Sequence, residues 1–116
     1  MMEAAKLFVD FSNGQPGSFD ALPPATKVMF VDNARTLLLN VPGDLAITCA
    51  QLEQLKIPVT ITKGQLTKPS SRVISEAAHR CVPRSQLITI AEARHGASRQ
   101  NPIAFNEALL AFLGRN

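Results

Sequence analysis

The fold is decided by residues 57–90, which read IPVTITKGQLTKPSSRVISEAAHRCVPRSQLITI. This stretch begins and ends with compact β-branched segments, residues 57–62 and 86–90, which predict two strands. Between them, Pro69 opens roughly a dozen residues with an apolar stripe, and Pro83 closes them, so this part predicts a helix. A strand, a helix and a second strand are typical of a right-handed parallel crossover unit.

Three helical pieces are predicted before this unit. Apolar residues recur at helical spacing over residues 3–11, and a second helix is predicted from Pro23 until the Val-Pro-Gly turn at residues 41–43. Residues 44–55 then predict a short irregular helix. The chain is therefore divided into a helical segment, residues 1–43, and a strand-helix-strand-helix portion, residues 44–116.

After the second strand, a loop is predicted over residues 92–100, and Pro102 starts a final helix that Gly114 ends. The predicted fold class is α/β, with two parallel strands, a crossover helix and N-terminal helices. Two parallel strands are too few for an ordinary sheet, so we expect a larger parent protein or a homo-oligomer. The residues expected to face a core on the first, crossover and final helices are Ala4, Leu7, Phe8, Phe11, Val73, Ile74, Ala77, Ala78, Cys81, Ile103, Phe105, Ala108, Leu109 and Phe112.

Composition excludes several classes of function. The 116 residues carry a formal charge of +3, and the densest basic group, Arg94, His95 and Arg99, is too small for a nucleic-acid site. No run of apolar residues is long enough for a membrane span, and the N-terminus lacks the pattern of a signal peptide. Cys49 and Cys81 are too few for a disulfide framework and lack the spacing of metal ligands, so we expect them to be buried free thiols. Free thiols suit a reducing compartment, so a cytoplasmic location is expected.

Four segments in the second half resemble, in order and spacing, the C-terminal part of α/β-hydrolases. Residues 57–64 are similar to the strand that carries the catalytic acid in that family, and residues 82–87 to the run into its last strand. His95-Gly96 stands where the family places its catalytic histidine, and residues 101–113 resemble its final helix. Residues 1–43 loosely resemble the end of a cap subdomain.

The resemblance implies a hydrolase in which His95 acts as general base and then general acid on an ester or related small-molecule substrate. In the family the triad follows the order Ser, Asp/Glu, His. Thr67 occupies the position usual for the acid, and Ala93-Arg94 precede the histidine where glycine is usual. The acid of the triad is therefore lost or supplied from elsewhere. Glu92 is a carboxylate close to His95 in sequence, but it is expected to face solvent.

No serine in the chain has the surroundings of a hydrolase nucleophile, because no Gly-x-Ser-x-Gly occurs. Ser70 and Ser71 are interpreted as capping residues, and Ser98 lacks an elbow turn. His79 is interpreted as a partly exposed helical histidine, and no cofactor or metal site is predicted.

Two functional hypotheses remain open, and the sequence leaves enzymatic activity undecided between them. The first is the C-terminal part of an α/β-hydrolase-like protein that is inactive alone. The second is a stand-alone, non-enzymatic domain that buries its strand edges by self-association. Neither nucleic acid nor membrane is expected as a partner.

Overall fold

The computed structural model of the chain describes residues 1–38 and 46–114. The chain divides into two compact units, Met1–Leu45 and Ala46–Asn116, and each is described by itself. The predicted Val-Pro-Gly end of the second helix and the predicted start of the next helix at Asp44 lie outside the described residues.

The N-terminal unit contains helix α1 (Met2–Asn13), helix α2 (Pro24–Asn33) and a 3-10 turn (Ala34–Leu38). Helix α1 ends at Gly14, which adopts a left-handed conformation with φ 66° that glycine tolerates at little cost. The buried core of this unit consists of Ala5, Val9, Phe19, Leu22 and Ala34.

The predicted inward face of α1 is wrong. Ala5 and Val9 are buried, whereas the side chains of Leu7 and Phe11 are 62% and 73% exposed. The polar residues beside the buried stripe explain the difference. Asp10 accepts hydrogen bonds from the backbone N–H groups of Gly17 (3.0 Å) and Phe19 (2.8 Å), and these bonds hold the following turn against that side of the helix.

The C-terminal unit contains the predicted strand-helix-strand arrangement. Its elements are α3 (Cys49–Leu52), β1 (Thr60–Gly64), α4 (Pro69–Cys81), β2 (Gln86–Ile90), α5 (Ala97–Gln100) and α6 (Pro102–Leu113). Strands β1 and β2 are parallel, and their register runs from Thr60 opposite Gln86 to Gly64 opposite Ile90. The structure confirms a small mixed fold with two parallel strands joined through a helix.

The observed elements of this unit differ from the prediction in three places. Strand β1 starts at Thr60 rather than at residue 57, because Pro58 has no N–H to donate and pairing begins only past it. Within residues 44–55, the described helix covers only Cys49–Leu52. The predicted loop over residues 92–100 contains the short helix α5.

The core of the C-terminal unit is small and lies between β2 and α6. It consists of Ile90, Ala93 and Ala108, with Ile88, Ala97, Ala104 and Phe105 packed around it. Helix α4 buries less of its predicted stripe than expected, since Val73 and Ile74 are 60% and 68% exposed. Ile103 and Leu109 on α6 are also exposed, contrary to prediction. Two strands about 5 Å apart make a surface hardly wider than one helix, so the flanks of the helices remain uncovered.

The two cysteines form a disulfide, which corrects the prediction of free thiols. The Cα atoms of Cys49 and Cys81 are 5.1 Å apart, and the bond joins α3 to the last residue of α4. A capping box at Thr48 starts α3 and places Cys49 at its first position. Disulfides are rare in a reducing cytosol, so the thiols no longer support the expected cytoplasmic location.

Candidate functional site

The loops that follow the two strands are joined closely at the carboxyl end of the sheet. The backbone N–H groups of Gln65 and Leu66 donate to the carbonyl oxygens of Ile90 (2.9 Å) and Ala93 (2.8 Å). A Cβ atom on Gly64 would collide with the backbone carbonyl oxygens of Ala93 and Arg94. Only glycine fits at this crossing, and the contact fixes the loop that carries His95 against the end of β1.

Two glutamine side chains add to this joint. Gln65 Oε1 accepts from the backbone N–H of Glu92 (3.0 Å), and Gln100 Oε1 accepts from that of Arg94 (2.6 Å). Glu92 adopts a positive φ of 53°. Its side chain is exposed, as predicted, and the turn at this residue sends the chain back toward β1.

Asn101 links the histidine loop to α6. Its Oδ1 accepts from the backbone N–H of Ala104 (3.2 Å), and its Nδ2 donates to the carbonyl oxygen of Ala91 (2.9 Å). The first bond caps the helix, and the second ties the start of the helix to the end of β2. This capping role was not predicted, although an asparagine directly before a helix-starting proline is a recognisable capping signal.

His95 lines a cavity of about 420 Å³ at this end of the sheet, which we call the His95 cavity. It lies among the ends of β1 and the histidine loop and the first turns of α4, α5 and α6. Its lining residues are Thr62, Lys63, Gly64, Thr67, Ser71, Ile74, Ser75, Arg94, His95, Ala97, Ser98 and Phe105. The histidine is exposed and directly precedes the residue that caps α5.

Thr67, at the position where the resemblance implies an acid, shares this cavity with His95. The residue is only 6% exposed. Its backbone N–H donates to the Gly64 carbonyl oxygen (3.2 Å), which closes the turn between β1 and α4. Its hydroxyl makes no hydrogen bond to any residue in the described part of the chain. A threonine hydroxyl stays neutral, so it cannot balance an imidazolium as a carboxylate does.

Two of the serines weighed as nucleophiles, Ser71 and Ser98, also line the His95 cavity. Each sits within a helix, α4 or α5, rather than at the sharp strand-to-helix turn that activates a hydrolase serine. The predicted capping role of Ser70 and Ser71 is wrong. Helix α4 has Lys68 at its N-cap and no side-chain cap bond, because Pro69 sets its first turn.

Two cations reach the cavity, and one of them is already paired. Lys63 Nζ lies 2.5 Å from Glu76 Oε1, and the lysine side chain is 16% exposed. The hydrogen bond from Lys63 is the main cause that lowers the pKa of Glu76 below its ordinary value of 4.5. Arg94 Nη1 donates to the Leu66 carbonyl oxygen (3.1 Å), which anchors the guanidinium beside the turn that contains Thr67.

The other histidine lies at the opposite end of α4. His79 Nδ1 is 2.8 Å from Ser85 Oγ, and that hydroxyl donates to the His79 carbonyl oxygen (3.1 Å). The pair closes the turn from α4 into β2. His79 is half-buried on the helix, as predicted, and its contacts are those of a structural residue.

A second, apolar cavity adjoins the first along β1 and α6. We call it the Phe105 groove; it measures about 220 Å³ and shares Thr62 and Phe105 with the His95 cavity. Its lining residues are Thr60, Thr62, Phe105, Ala108, Leu109 and Phe112. The His95 cavity and this apolar groove therefore meet along β1.

Comparison of the chain with protein-family models, characterised proteins and solved structures finds no significant match. Within the described ranges, no group of three or more histidine, cysteine or acidic residues is placed to hold a metal ion. No helix in the described part of the chain has the length and apolar character needed to cross a membrane. Any functional inference therefore starts from the geometry of this chain's own residues.

Proposed function

We propose that the chain is the histidine-bearing C-terminal part of an α/β-hydrolase-like protein and is inactive alone. The observation that carries the proposal is the placement of His95. It stands on the loop after the second of two parallel strands, lines a cavity, and precedes a proline-started helix. Ligand sites in open α/β sheets form outside the carboxyl ends of the strands, where this cavity lies.

In this proposal His95 takes the proton of a serine supplied by polypeptide outside residues 1–116, and later returns it to the leaving group. The reaction is acyl transfer from an ester or a related substrate to water. The exposed imidazole is accessible to such a partner. Neither Ser71 nor Ser98 lies on an elbow turn, so the cavity holds a base without an activated nucleophile.

Reconstitution tests this function. Source-cell extract depleted of the chain is supplemented with purified protein, and serine hydrolases are labelled with a fluorophosphonate. We expect one labelled band to appear with the wild type and to be lost with His95→Ala. The matched control, His79→Gln, changes the histidine outside the cavity and keeps the label. Labelling that is the same with and without the chain would contradict the proposal.

The isolated chain provides a second check. Its hydrolysis of p-nitrophenyl acetate should equal that of His95→Ala, because no activated serine is present. Robust turnover that His95→Ala abolishes would show that the chain is catalytically complete. An in-frame strand followed by Gly-x-Ser-x-Gly in the upstream gene would support the hydrolase proposal over the alternative.

A stand-alone, self-associating domain is the second candidate, and the surface of α6 favours it. Ile103, Leu110 and Leu113 are 73%, 68% and 56% exposed and recur at helical spacing on one side of the helix. Clustered apolar surface of this kind often marks an interface. We expect at least a dimer by light scattering at micromolar concentration and a monomer for Leu110→Glu. Val73→Glu on α4 is the control, and a monomeric wild type rejects this candidate.

A further inference from the structure

We propose that the His95 cavity binds a small oxyanion, a carboxylate or phosphate group, through Arg94 and the hydroxyl of Thr67. This goes beyond the proposed function, because binding needs no nucleophile and can be measured on the chain alone. The further consequence, that substrates carry such a group, rests on the proposed function. Three features of the cavity support the inference.

The first feature is the fixed position of Arg94. Its backbone N–H is held by Gln100 (2.6 Å), and one guanidinium nitrogen by the Leu66 carbonyl (3.1 Å). Its remaining guanidinium donors make no hydrogen bond to any other residue in ranges 1–38 and 46–114. A guanidinium presents its donors in a planar fork that matches the two oxygens of a carboxylate or phosphate. An anchored fork loses less entropy on binding than a free side chain does.

The second feature is the hydroxyl of Thr67, a residue of the cavity lining. More than nine-tenths of the residue is buried, it lines the cavity, and its hydroxyl has no partner among the described residues. No buried side-chain oxygen or nitrogen in the described residues lacks a hydrogen bond, so this unpartnered hydroxyl is accessible and can donate to a ligand in the cavity. Ser71 and Ser98 supply further hydroxyls on the same lining. Donors predominate, as an anion requires.

The third feature is the charge of the lining. Of the described residues that line the cavity, none carries a carboxylate. Glu76 is close by, but its carboxylate is engaged by Lys63 at 2.5 Å. That pair nearly cancels, and the positive charge of Arg94 remains uncompensated within the lining. The cavity therefore attracts an anionic group, and no lining carboxylate repels it.

Amide chemical shifts of the isotope-labelled full chain test the inference. The protein is titrated separately with sodium phosphate and sodium acetate, and with sodium chloride as the ionic-strength control. We expect saturable shifts confined to residues 64–67 and 94–98 with at least one of the two oxyanions, and none with chloride. The arm that saturates at lower concentration identifies the group as phosphate or carboxylate. Shifts that are scattered, or equal with chloride, would overturn the inference.

Variants assign the contacts. Arg94→Gln should weaken binding about tenfold, the usual effect of losing a charged hydrogen bond, and Thr67→Val several-fold with the cavity shape preserved. Arg99→Gln removes an equal charge from the same loop outside the lining, and it should leave affinity within about twofold. Equal weakening by Arg99→Gln and Arg94→Gln would reduce the effect to general electrostatics and reject the site. If Arg94→Gln fails to fold, unchanged binding by Thr67→Val is the outcome that rejects it. Hydrolase reconstitution is scored separately, so either proposal can fail without the other.

Discussion

The two ends of the parallel strands are held together by different means. At the amino end, a disulfide joins α3 to α4, and His79 and Ser85 satisfy each other across the turn into β2. At the carboxyl end, backbone groups and side-chain amides make the joint, and Arg94 and Thr67 keep donors that face a cavity. At the amino end, the two thiols and the His79 imidazole are engaged in contacts that stabilise the fold. At the carboxyl end, the donors of Arg94 and Thr67 remain available to a ligand, which is typical of a binding or catalytic site.

The largest expected effect comes from breaking the backbone crossing at the carboxyl end. Gly64→Ala places a methyl group against the carbonyl oxygens of Ala93 and Arg94, so the two loops must separate. We expect a loss of about 4 kcal/mol in the free energy of unfolding, measured by urea denaturation. The control is Gly96→Ala in the same loop. There φ is −85° and the nearest atom is a flexible arginine side chain, so the change should stay within about 0.5 kcal/mol.

Reduction of the disulfide tests the amino end. The bond spans a sequence separation of 32, and closing such a loop in the unfolded chain is worth about 3.7 kcal/mol. Dithiothreitol, or the Cys49→Ser/Cys81→Ser double variant, should lower the urea midpoint of the C-terminal unit by a corresponding amount. The amides of the His95 cavity should keep their chemical shifts, because they lie at the other end of the strands. An unchanged midpoint would contradict a stabilising role for the bond.

Removing Asn101 should have a smaller effect on the carboxyl end. Asn101→Ala deletes the cap of α6 and the bond to the Ala91 carbonyl, with an expected cost of about 1.5 kcal/mol by urea denaturation. Asn106→Ala is the matched control, since that residue is exposed within the same helix. The control should be neutral or slightly stabilising. Equal losses from both changes would show that helix propensity rather than capping is at work.

The smallest effect concerns the pair beside the cavity. Because the folded state lowers the pKa of Glu76, this carboxylate contributes stability above pH 4.5, its ordinary pKa, and loses it as the pH falls toward the folded value. Glu76→Gln should therefore flatten the acid side of the stability curve, measured by denaturation from about pH 6 to about pH 3. Glu107→Gln, an exposed change on α6, is the control and should leave the curve unchanged. If the free energy of unfolding of Glu76→Gln falls with decreasing pH as steeply as that of the wild type, the stabilising role of this carboxylate is contradicted.

The sequence predicted the strand-helix-strand order because local patterns specify it. Pro69 and Pro83 bracket α4, and the second strand falls at the predicted residues 86–90. The first strand was misplaced because its end depends on pairing with β2 rather than on β-branched residues alone. The inward face of α1 was misassigned for a similar reason. Apolar spacing favours one side, but the hydrogen bonds that Asp10 accepts from Gly17 and Phe19 select the other.

The candidate site was predictable only in part. The position of His95 after a strand and before a proline-started helix is a local signal, and the structure places that residue in a cavity. The convergence of Thr67 and Arg94 on the same cavity is not local, since it depends on the crossing at Gly64. The disulfide was missed because residues 49 and 81 are brought together by the fold and have no informative spacing.

The disulfide also determines how the chain would respond to a pulling force. It closes a loop that contains β1 and all of α4, whereas β2 lies outside that loop. Force applied to the two termini would pass through the sulfur atoms and bypass this loop. Roughly 110 Å of extended chain would then be withheld from stretching, since an extended residue spans at most about 3.5 Å. A protein-unfolding motor that pulls from the C-terminal side would separate β2 from β1 before it reaches Cys81, and it would then have to translocate the cross-linked loop as two chain segments side by side.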